Sequence, residues 1–423
     1  MAARKDIPTF GLMQGVRVAH ASMSVAGPFA AALMADMGAD VIWVENPKGL
    51  DIARGGGTNA GWTVELNRRN QRNLSLNIPS PEGREVFLKL MAETDIFIEA
   101  SKGGQYEKWG LSDEVLWEVN PKLVIVHISG YGQTGDPDYV GRASYDPIGQ
   151  AFGGIMYMNG EEGMPAFSVK SDVVDYYSGF LAATTALAAY QNAQKTGRGD
   201  SVDVAQYEAA LRTLGTFPAY TWNEGLPFKR QLTGTPAGVA GYDAYRCRDG
   251  KEVYILVLGP GVAKAALQVL GLEYGSEEFP AGSARFQKGT PGGDRLEAAV
   301  REFCASHDAA DVERIFAAAK VPCSTILDFD DMLVNPQYLA RESITKWPSE
   351  RVGREVTGFN IFPKMKNFPG QIWRGGPNHG MDNRDILRDL GYSEAQIDAL
   401  YHHEVVAEKA DRIVAVAKEG KSS

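Results

Sequence analysis

The sequence predicts an α/β protein with a mostly parallel sheet, followed by a smaller α+β block. Three observations carry that reading. Short apolar runs alternate with helical patterns through the first half of the chain. The runs at 96–98 and 123–126 are continuously apolar, as buried strands are. The pattern then changes character after Thr221.

In order, residues 16–19 read as a strand and 30–37 as a helix. Pro28 suits its first turn, where a fixed φ costs nothing, and Gly38 suits its end. Residues 41–45 give the next strand, closing a strand–helix–strand unit of the kind that builds parallel sheets. Residues 74–76 are strand-like. Ser80-Pro81-Glu82 opens a helix that contains Val86, Leu88, Leu90 and Met91. After the strands at 96–98 and 123–126 comes a long helix from Asp175 to Thr196, closed by Gly197. A strand at 200–204 and a helix from about Gln206 follow. Residues 232–241 are rich in Gly, Pro, Thr and Ala and read as a linker. Two runs, 242–247 and 252–258, flank Asp249-Gly250 and predict a β-hairpin. Helices are expected at 263–270, 294–306 and 309–319, then in the tail at 383–390, 393–400 and 403–417. The expected divisions are a large α/β part over 1–224, a small α+β domain over 225–328, and a helical segment over 329–423.

Composition excludes several classes. With 423 residues and 44% hydrophobic content, the chain can bury the cores of two domains. Lys and Arg total 43 against 53 Asp and Glu, a net charge of −10 that disfavours nucleic-acid binding. The three cysteines, Cys247, Cys304 and Cys323, form no CxxC pair, so neither a zinc site nor a disulfide framework is expected, and a reducing cytoplasm fits. The six histidines make no metal-ligand spacing. His20 and His127 end predicted strands, where packing or the edge of a site are both open. The first residues lack an apolar leader, and no apolar run approaches the roughly 20 residues a membrane span needs. A P-loop, HExxH, GxSxG and GxGxxG are all missing, which argues against ATP-driven, zinc-protease, serine-hydrolase and NAD chemistry.

A different set of motifs is present. They are Ala26-Gly27-Pro28, residues 35–42, Asn70-Gln71-Arg72 with Ser75-Leu76, Pro121-Lys122-Leu123-Val124 and residues 129–135. Gly197-Arg198-Gly199-Asp200 before Val202-Asp203-Val204, and Asn335-Pro336-Gln337-Tyr338, complete the set. In this order, and over nearly the whole chain, they resemble the class III CoA-transferases, the CaiB/BaiF family. The segments 99–103, 164–167, 341–345 and 372–375 look like the carnitine-pathway enzymes. Residues 103–106, 132–139 and 142–146 look like the bile-acid enzymes. The resemblance implies a Rossmann-like large domain completed by the C-terminal segment, a small domain, and two chains interlocked as a homodimer. Each active site would then lie between the large domain of one chain and the small domain of the other.

Asp175 opens Asp175-Tyr176-Tyr177-Ser178-Gly179 ahead of an apolar helix. A carboxylate there is favoured by the helix dipole and by unpaired N–H groups, so alone it reads as a capping residue. The resemblance makes it the nucleophile. Asp172, the rival position, lacks the following Ser-Gly. The implied chemistry is attack of the carboxylate on a thioester, giving a mixed anhydride and then an aspartyl-CoA thioester, which the acceptor acid opens. Thioester energy is conserved, so no ATP is needed. No cofactor is permanently bound and no metal is expected. CoA or acyl-CoA is a substrate, and its partner is a free carboxylic acid.

Candidate CoA contacts are Lys102 and Lys108 around Gly103-Gly104-Gln105-Tyr106, and the backbone of Val25 and Ala26. Lys108 and Trp109 stand where the carnitine-pathway enzymes carry consecutive arginines. A second basic cluster is formed by Arg68, Arg69 and Arg72. Each of these five charges could equally be a solvated surface residue. Tyr145-Asp146 matches a tyrosine–acid pair close to the family's active site. Asp146 would orient the nucleophile or a leaving group, or else simply cap a helix ahead of Pro147. Residues 234–241 correspond to a glycine-rich loop over the intermediate, or are an ordinary linker.

Two other activities are open. An α-methylacyl-CoA racemase would place a His-Asp pair where this chain has Tyr145-Asp146, and a tyrosine is a poor base near neutral pH. A non-catalytic acyl-CoA-binding subunit would have no need of Asp175. For the transferred acid, a trimethylammonium acid such as carnitine or γ-butyrobetaine would want aromatic faces. Tyr157, Phe167, Tyr176, Tyr177 and Tyr220 are candidates. A bile acid would want a long apolar groove. The likeness at 164–167 inclines the expectation slightly toward the betaine acid.

Overall fold

A computed structural model describes residues 7–55, 61–230 and 238–409. The chain divides into two units. One holds residues 1–158, 167–227 and 340–423, and the other holds 159–166 and 228–339. Residues 159–166 therefore group with the smaller unit, which composition gave no reason to expect.

The larger unit is built on six parallel strands: β1 (Arg17–Ala21), β2 (Asp40–Glu45), β3 (Gln71–Ser75), β4 (Ile96–Glu99), β5 (Val124–Ser129) and β6 (Ser201–Ala205). Their order is β3-β2-β1-β4-β5-β6, with Val18 opposite both Val41 and Ile96. Successive residues feed opposite faces. Phe97 and Ile125 join Phe87, Leu90 and Met91 of the Pro81–Ala92 helix on one side. Ile98 and Val126 join Ala30, Met34, Ala182 and Ala186 on the other. Both faces are covered, which is why these strands read as unbroken apolar runs.

The Val173–Thr196 helix starts two residues before Asp175 and ends at Gly197, whose φ of 76° is the left-handed cap the sequence predicts. It lies against the Ala26–Asp36 helix through small residues. At Gly179 a Cβ would come within 2.8 Å of both the Ala26 carbonyl oxygen and Phe29 Cδ1, so only glycine permits this approach. The C-terminal segment adds Ile386, Leu387, Leu400 and Val406 to the same core cluster as Phe87 and Phe97. The helix expected at 403–417 does not begin at 403: the preceding helix, Glu394–His402, is capped at His403, and the chain is not helical to 409. The remainder of that expected helix lies outside the described residues. An antiparallel pair, β10 (Ile344–Ser349) and β11 (Arg354–Phe359), also arises where the sequence suggested no strands.

The smaller unit carries the expected hairpin as β7 (Tyr242–Arg246) and β8 (Glu252–Leu256), extended by β9 (Cys323–Thr325). The Pro260–Val269, Pro291–Ser306 and Ala309–Ala318 helices pack on it through Leu267, Leu296, Val300 and Phe316. Residues 234–237 of the expected glycine-rich loop lie outside the described residues. No helix among the described residues is long and apolar enough to cross a membrane. None of their His, Cys, Asp and Glu side chains form a group of three or more that could hold a metal.

Candidate active site

Strand order reverses between β1 and β4, so the loops leaving their carboxyl ends diverge and open a crevice. A cavity of about 450 Å³ occupies it. Met23, Ser24 and Ala26 line it after β1, and Ala100, Ser101, Lys102, Gln105 and Trp109 after β4. Ser129 and Gly130 close it from β5, with Arg142, Ser144 and Tyr145 beyond, and Asp175 and Gln206 at its inner wall. A second cavity, of about 160 Å³, shares Met23, Ser101 and Trp109 and extends past Trp43 to Asp51 and Ile78.

Asp175 sits in the first turn of the long helix and is only 5% exposed. Burial pushes its carboxyl up to about 7, helped by the charges of Asp146 and Asp172. A hydrogen bond from Gln206 opposes the shift. The Gln206 side-chain amide donates to Asp175 Oδ1, and Oδ2 has no donor among the described residues. From the sequence Gln206 reads only as the start of a helix. What could have singled it out is its place, a polar residue directly after the carboxyl end of a parallel strand.

Asp146 does not line the cavity. It is 3% exposed, and its carboxylate accepts the backbone N–H groups of Val174 at 2.6 Å and Asp175 at 3.1 Å. It thus caps the helix that carries Asp175 from 28 residues upstream, and Gln150 donates to its other oxygen. Tyr145 lines the cavity and is 55% exposed. Asp172 is exposed, at the N-cap position, without a side-chain cap bond.

Lys102 and Ala26 line the cavity, and Val25 is buried immediately before Ala26. Lys108 is exposed in the Gln105–Lys108 turn and lines neither cavity, whereas Trp109 lines both. The second basic cluster, expected as exposed charge, is interior: its arginines are buried ion-pair partners. Arg68 is fully buried, paired with Asp51 and donating to the Ser24 carbonyl. Arg69 pairs with Asp36. Arg72 pairs with Asp40 at 2.7 Å and Asp389 at 3.4 Å. Arg68 Nε and Nη1 have no hydrogen-bond partner among the described residues, but none of the three arginines lines either cavity.

Neither strand-end histidine lines either of these two cavities. His20 is buried between Ser22 and Gln71. His127 bridges Glu99 at 2.7 Å and Asp113 at 3.0 Å, and Glu99 in turn accepts the backbone N–H of Ser101 in the cavity wall. Burial opposes the His127 charge, but Asp113 and Glu99 outweigh it and push the imidazole up to about 10. The bridge therefore stabilises fully below the ordinary histidine value of 6.5 and is lost as pH rises through about 10. His127→Gln is expected to cost about 3 kcal/mol near pH 7, because it strands the buried Glu99 carboxylate. Urea unfolding of both proteins at pH 7 measures this, and a difference below about 1 kcal/mol would contradict it.

Known proteins agree with this architecture. The family model for CoA-transferase family III matches residues 13–383. The chain is 42% identical over 397 residues to the bile acid CoA-transferase BaiK of Clostridium scindens (strain JCM 10418 / VPI 12708), covering 93% of this chain and 89% of that protein. It is similar to the crystal structure of a CAIB/BAIF family protein from Brucella suis, with a TM-score of 0.77 and 26% identity over 90% of this chain and all of that one. Rv3272 from M. tuberculosis shares the fold, with a TM-score of 0.74 and 22% identity over 89% of this chain and 99% of that one. A buried carboxylate beside a switch-point cavity is thus met in a chain that belongs to CoA-transferase family III, and the protein is a CoA-transferase of that family.

Proposed function

We propose that this CoA-transferase moves CoA between a bile acyl-CoA and a free bile acid through a thioester on Asp175. The observation that carries the mechanism is Asp175 itself: a buried carboxylate with Oδ1 held by Gln206, on the wall of a cavity of about 450 Å³. Oδ2 attacks the thioester carbonyl and expels the CoA thiolate, giving a mixed anhydride. The thiolate then attacks the Asp175 carbonyl carbon and releases the first acid. The acceptor carboxylate opens the aspartyl thioester, and the same steps run in reverse.

The inclination toward a betaine acid gives way to the bile-acid reading. None of Tyr157, Phe167, Tyr176, Tyr177 and Tyr220 lines either cavity among the described residues. The side chains with positive charge that do line the larger one, Lys102 and Arg142, would repel a trimethylammonium group. They suit the phosphates of CoA instead, and Trp109 offers a ring to its adenine. The relative at 42% identity is a bile acid CoA-transferase, which supports the same choice.

A homodimer fits the exposed aromatic side chains. Phe217, Tyr220 and Trp222 on the Phe217–Glu224 helix are 49%, 57% and 72% exposed, a density of apolar surface that another chain would cover.

The reading predicts exchange between cholyl-CoA and free deoxycholate, followed by mass spectrometry, at a rate at least about tenfold above that between γ-butyrobetainyl-CoA and carnitine, roughly 1.4 kcal/mol of discrimination. Preference for the betaine pair would overturn the substrate assignment. Loss of the α-proton to deuterated water without exchange would move the activity to the racemases.

A further inference from the structure

Gln206 occupies a position where charge must appear during the reaction. It is the first residue of the Gln206–Thr213 helix, directly after β6, and only 7% exposed. Its side chain reaches the cavity wall, and its Nε2–H points at Asp175 Oδ1. The base of the side chain lies close to the Asp146–Phe152 helix: a Cβ added at Gly149 would lie 2.9 Å from Val174 Cγ1 and 3.5 Å from Gln206 Cβ. The close approach to Val174 favours glycine at 149, and the hydrogen bond to Asp175 ties Gln206 to the turn that carries it.

We propose that Gln206 is a catalytic residue of the transfer, its side-chain N–H stabilising the oxyanion that forms on Asp175 Oδ1 whenever a nucleophile adds to the Asp175 carbonyl carbon. The proposal rests on the aspartyl-thioester reading above. In the mixed anhydride, Oδ2 is bonded to the acyl group and Oδ1 is the carbonyl oxygen. When the CoA thiolate adds, the S–Cγ bond forms and the carbonyl pair moves onto Oδ1. Collapse restores the carbonyl, breaks the Cγ–Oδ2 bond and expels the first acid as its carboxylate, so that oxygen exchanges between the acid and Asp175. The acceptor carboxylate later adds to the same carbon, places the pair on Oδ1 again, and expels thiolate. No proton is gained or lost in any of these additions.

That inventory explains the residue type. A donor that cannot give up its proton is wanted, because an acid would quench the thiolate and a second carboxylate would repel the oxyanion. A carboxamide meets both conditions. The hydrogen bond is weaker to the neutral carbonyl of the anhydride or thioester than to the oxyanion, so its gain falls in the transition state. In the resting enzyme the same bond occupies Oδ1 and leaves Oδ2 to attack. The first step, attack of Oδ2 on the acyl-CoA, places its oxyanion on the substrate and does not call on Gln206.

This division of labour gives a readout that a merely structural role would not move. Gln206→Met keeps the length and removes the donor. With cholyl-CoA and deoxycholate it is expected to lower kcat by about 10²-fold, with KM changed only a few-fold. With cholyl-CoA alone, where only formation of the aspartyl thioester is read, quenched-flow mass analysis of the Asp175 peptide should find CoA mass accumulating about 10²-fold more slowly than in the wild type, while acyl mass still appears at the wild-type rate. Gln206→Glu, nearly isosteric, is expected to lower kcat further, and it carries the test if the methionine variant has a depressed melting temperature. An unchanged kcat overturns the proposal. So does a lower kcat with CoA mass accumulating at the wild-type rate, or with acyl mass slowed equally, the latter making Gln206 a positioning residue only. Absence of either adduct from the wild-type peptide would instead overturn the aspartyl reading beneath it.

Discussion

Asp175→Ala is expected to abolish CoA exchange, lowering kcat by about 10⁴-fold or more, as loss of a covalent nucleophile does elsewhere. The loss should come without loss of fold. The carboxyl is pushed up from 3.8 to about 7, first by burial and then by the charges of Asp146 and Asp172, so its ionised form is disfavoured in the native state. A raised carboxyl makes the folded chain bind more protons than the unfolded one between those values, so its stability falls as pH rises from 3.8 through about 7. Asp175→Asn keeps the shape and removes that penalty. Its melting temperature at pH 8 should equal or exceed that of the wild type, while exchange is lost. The same shift predicts wild-type activity that rises through about pH 7 as Asp175 ionises. Residual exchange above about 1% in Asp175→Ala would exclude the nucleophile assignment, because no uncatalysed route approaches that rate.

Asp146→Asn tests how the nucleophile is held. The Asp146 carboxylate accepts N–H groups from Val174, Asp175 and the Gln150 side chain. An asparagine has one carbonyl oxygen in place of two acceptors, so at least one buried donor loses its partner, at a cost of about 1–3 kcal/mol. The first turn of the long helix loosens with it. A displacement of the nucleophile by a fraction of an ångström is expected to lower kcat by roughly 10- to 100-fold. The variant also removes one of the two charges that raise Asp175, leaving Asp172, so the acid limb of the pH–rate profile should move to lower pH. Slower turnover with the limb displaced downward is the expected pair of results. An acid limb that stays in place would show that Asp146 does not bear electrostatically on Asp175.

Both residues were legible in the sequence, but to different depths. Asp175 stands before Ser178-Gly179 and an apolar helix, a local pattern that survives without coordinates. Gly179 is required by a backbone contact to the Ala26 carbonyl oxygen, which belongs to a helix some 150 residues earlier in the chain. Asp146 could be named as a neighbour of the site. Its task of capping a helix 28 residues away could not, because a cap is ordinarily sought within the helix's own first turn.

The second basic cluster illustrates the opposite limit. Arg68, Arg69 and Arg72 look like a surface for phosphate because like charges are adjacent in sequence. Their partners are Asp51, Asp36, Asp40 and Asp389, the last lying 317 residues beyond Arg72. Charge is local in sequence, whereas its neutralisation is a property of space. The betaine expectation loses support for a related reason: aromatic content does not state which rings share a cavity, and none of the five named rings lines either one described above.

By itself, then, the sequence determined the parallel α/β architecture, the helix that carries Asp175 and the family to which the chain belongs. These depend on short-range periodicity, caps and motif order, all of which are written along the chain. Only the tertiary structure decided that Gln206 meets Asp175, that Asp146 caps the helix carrying Asp175, and that the arginine cluster is interior. Those outcomes depend on where parallel strands end relative to one another and on which long-range partners compete for each buried charge. The sheet's order and register set both.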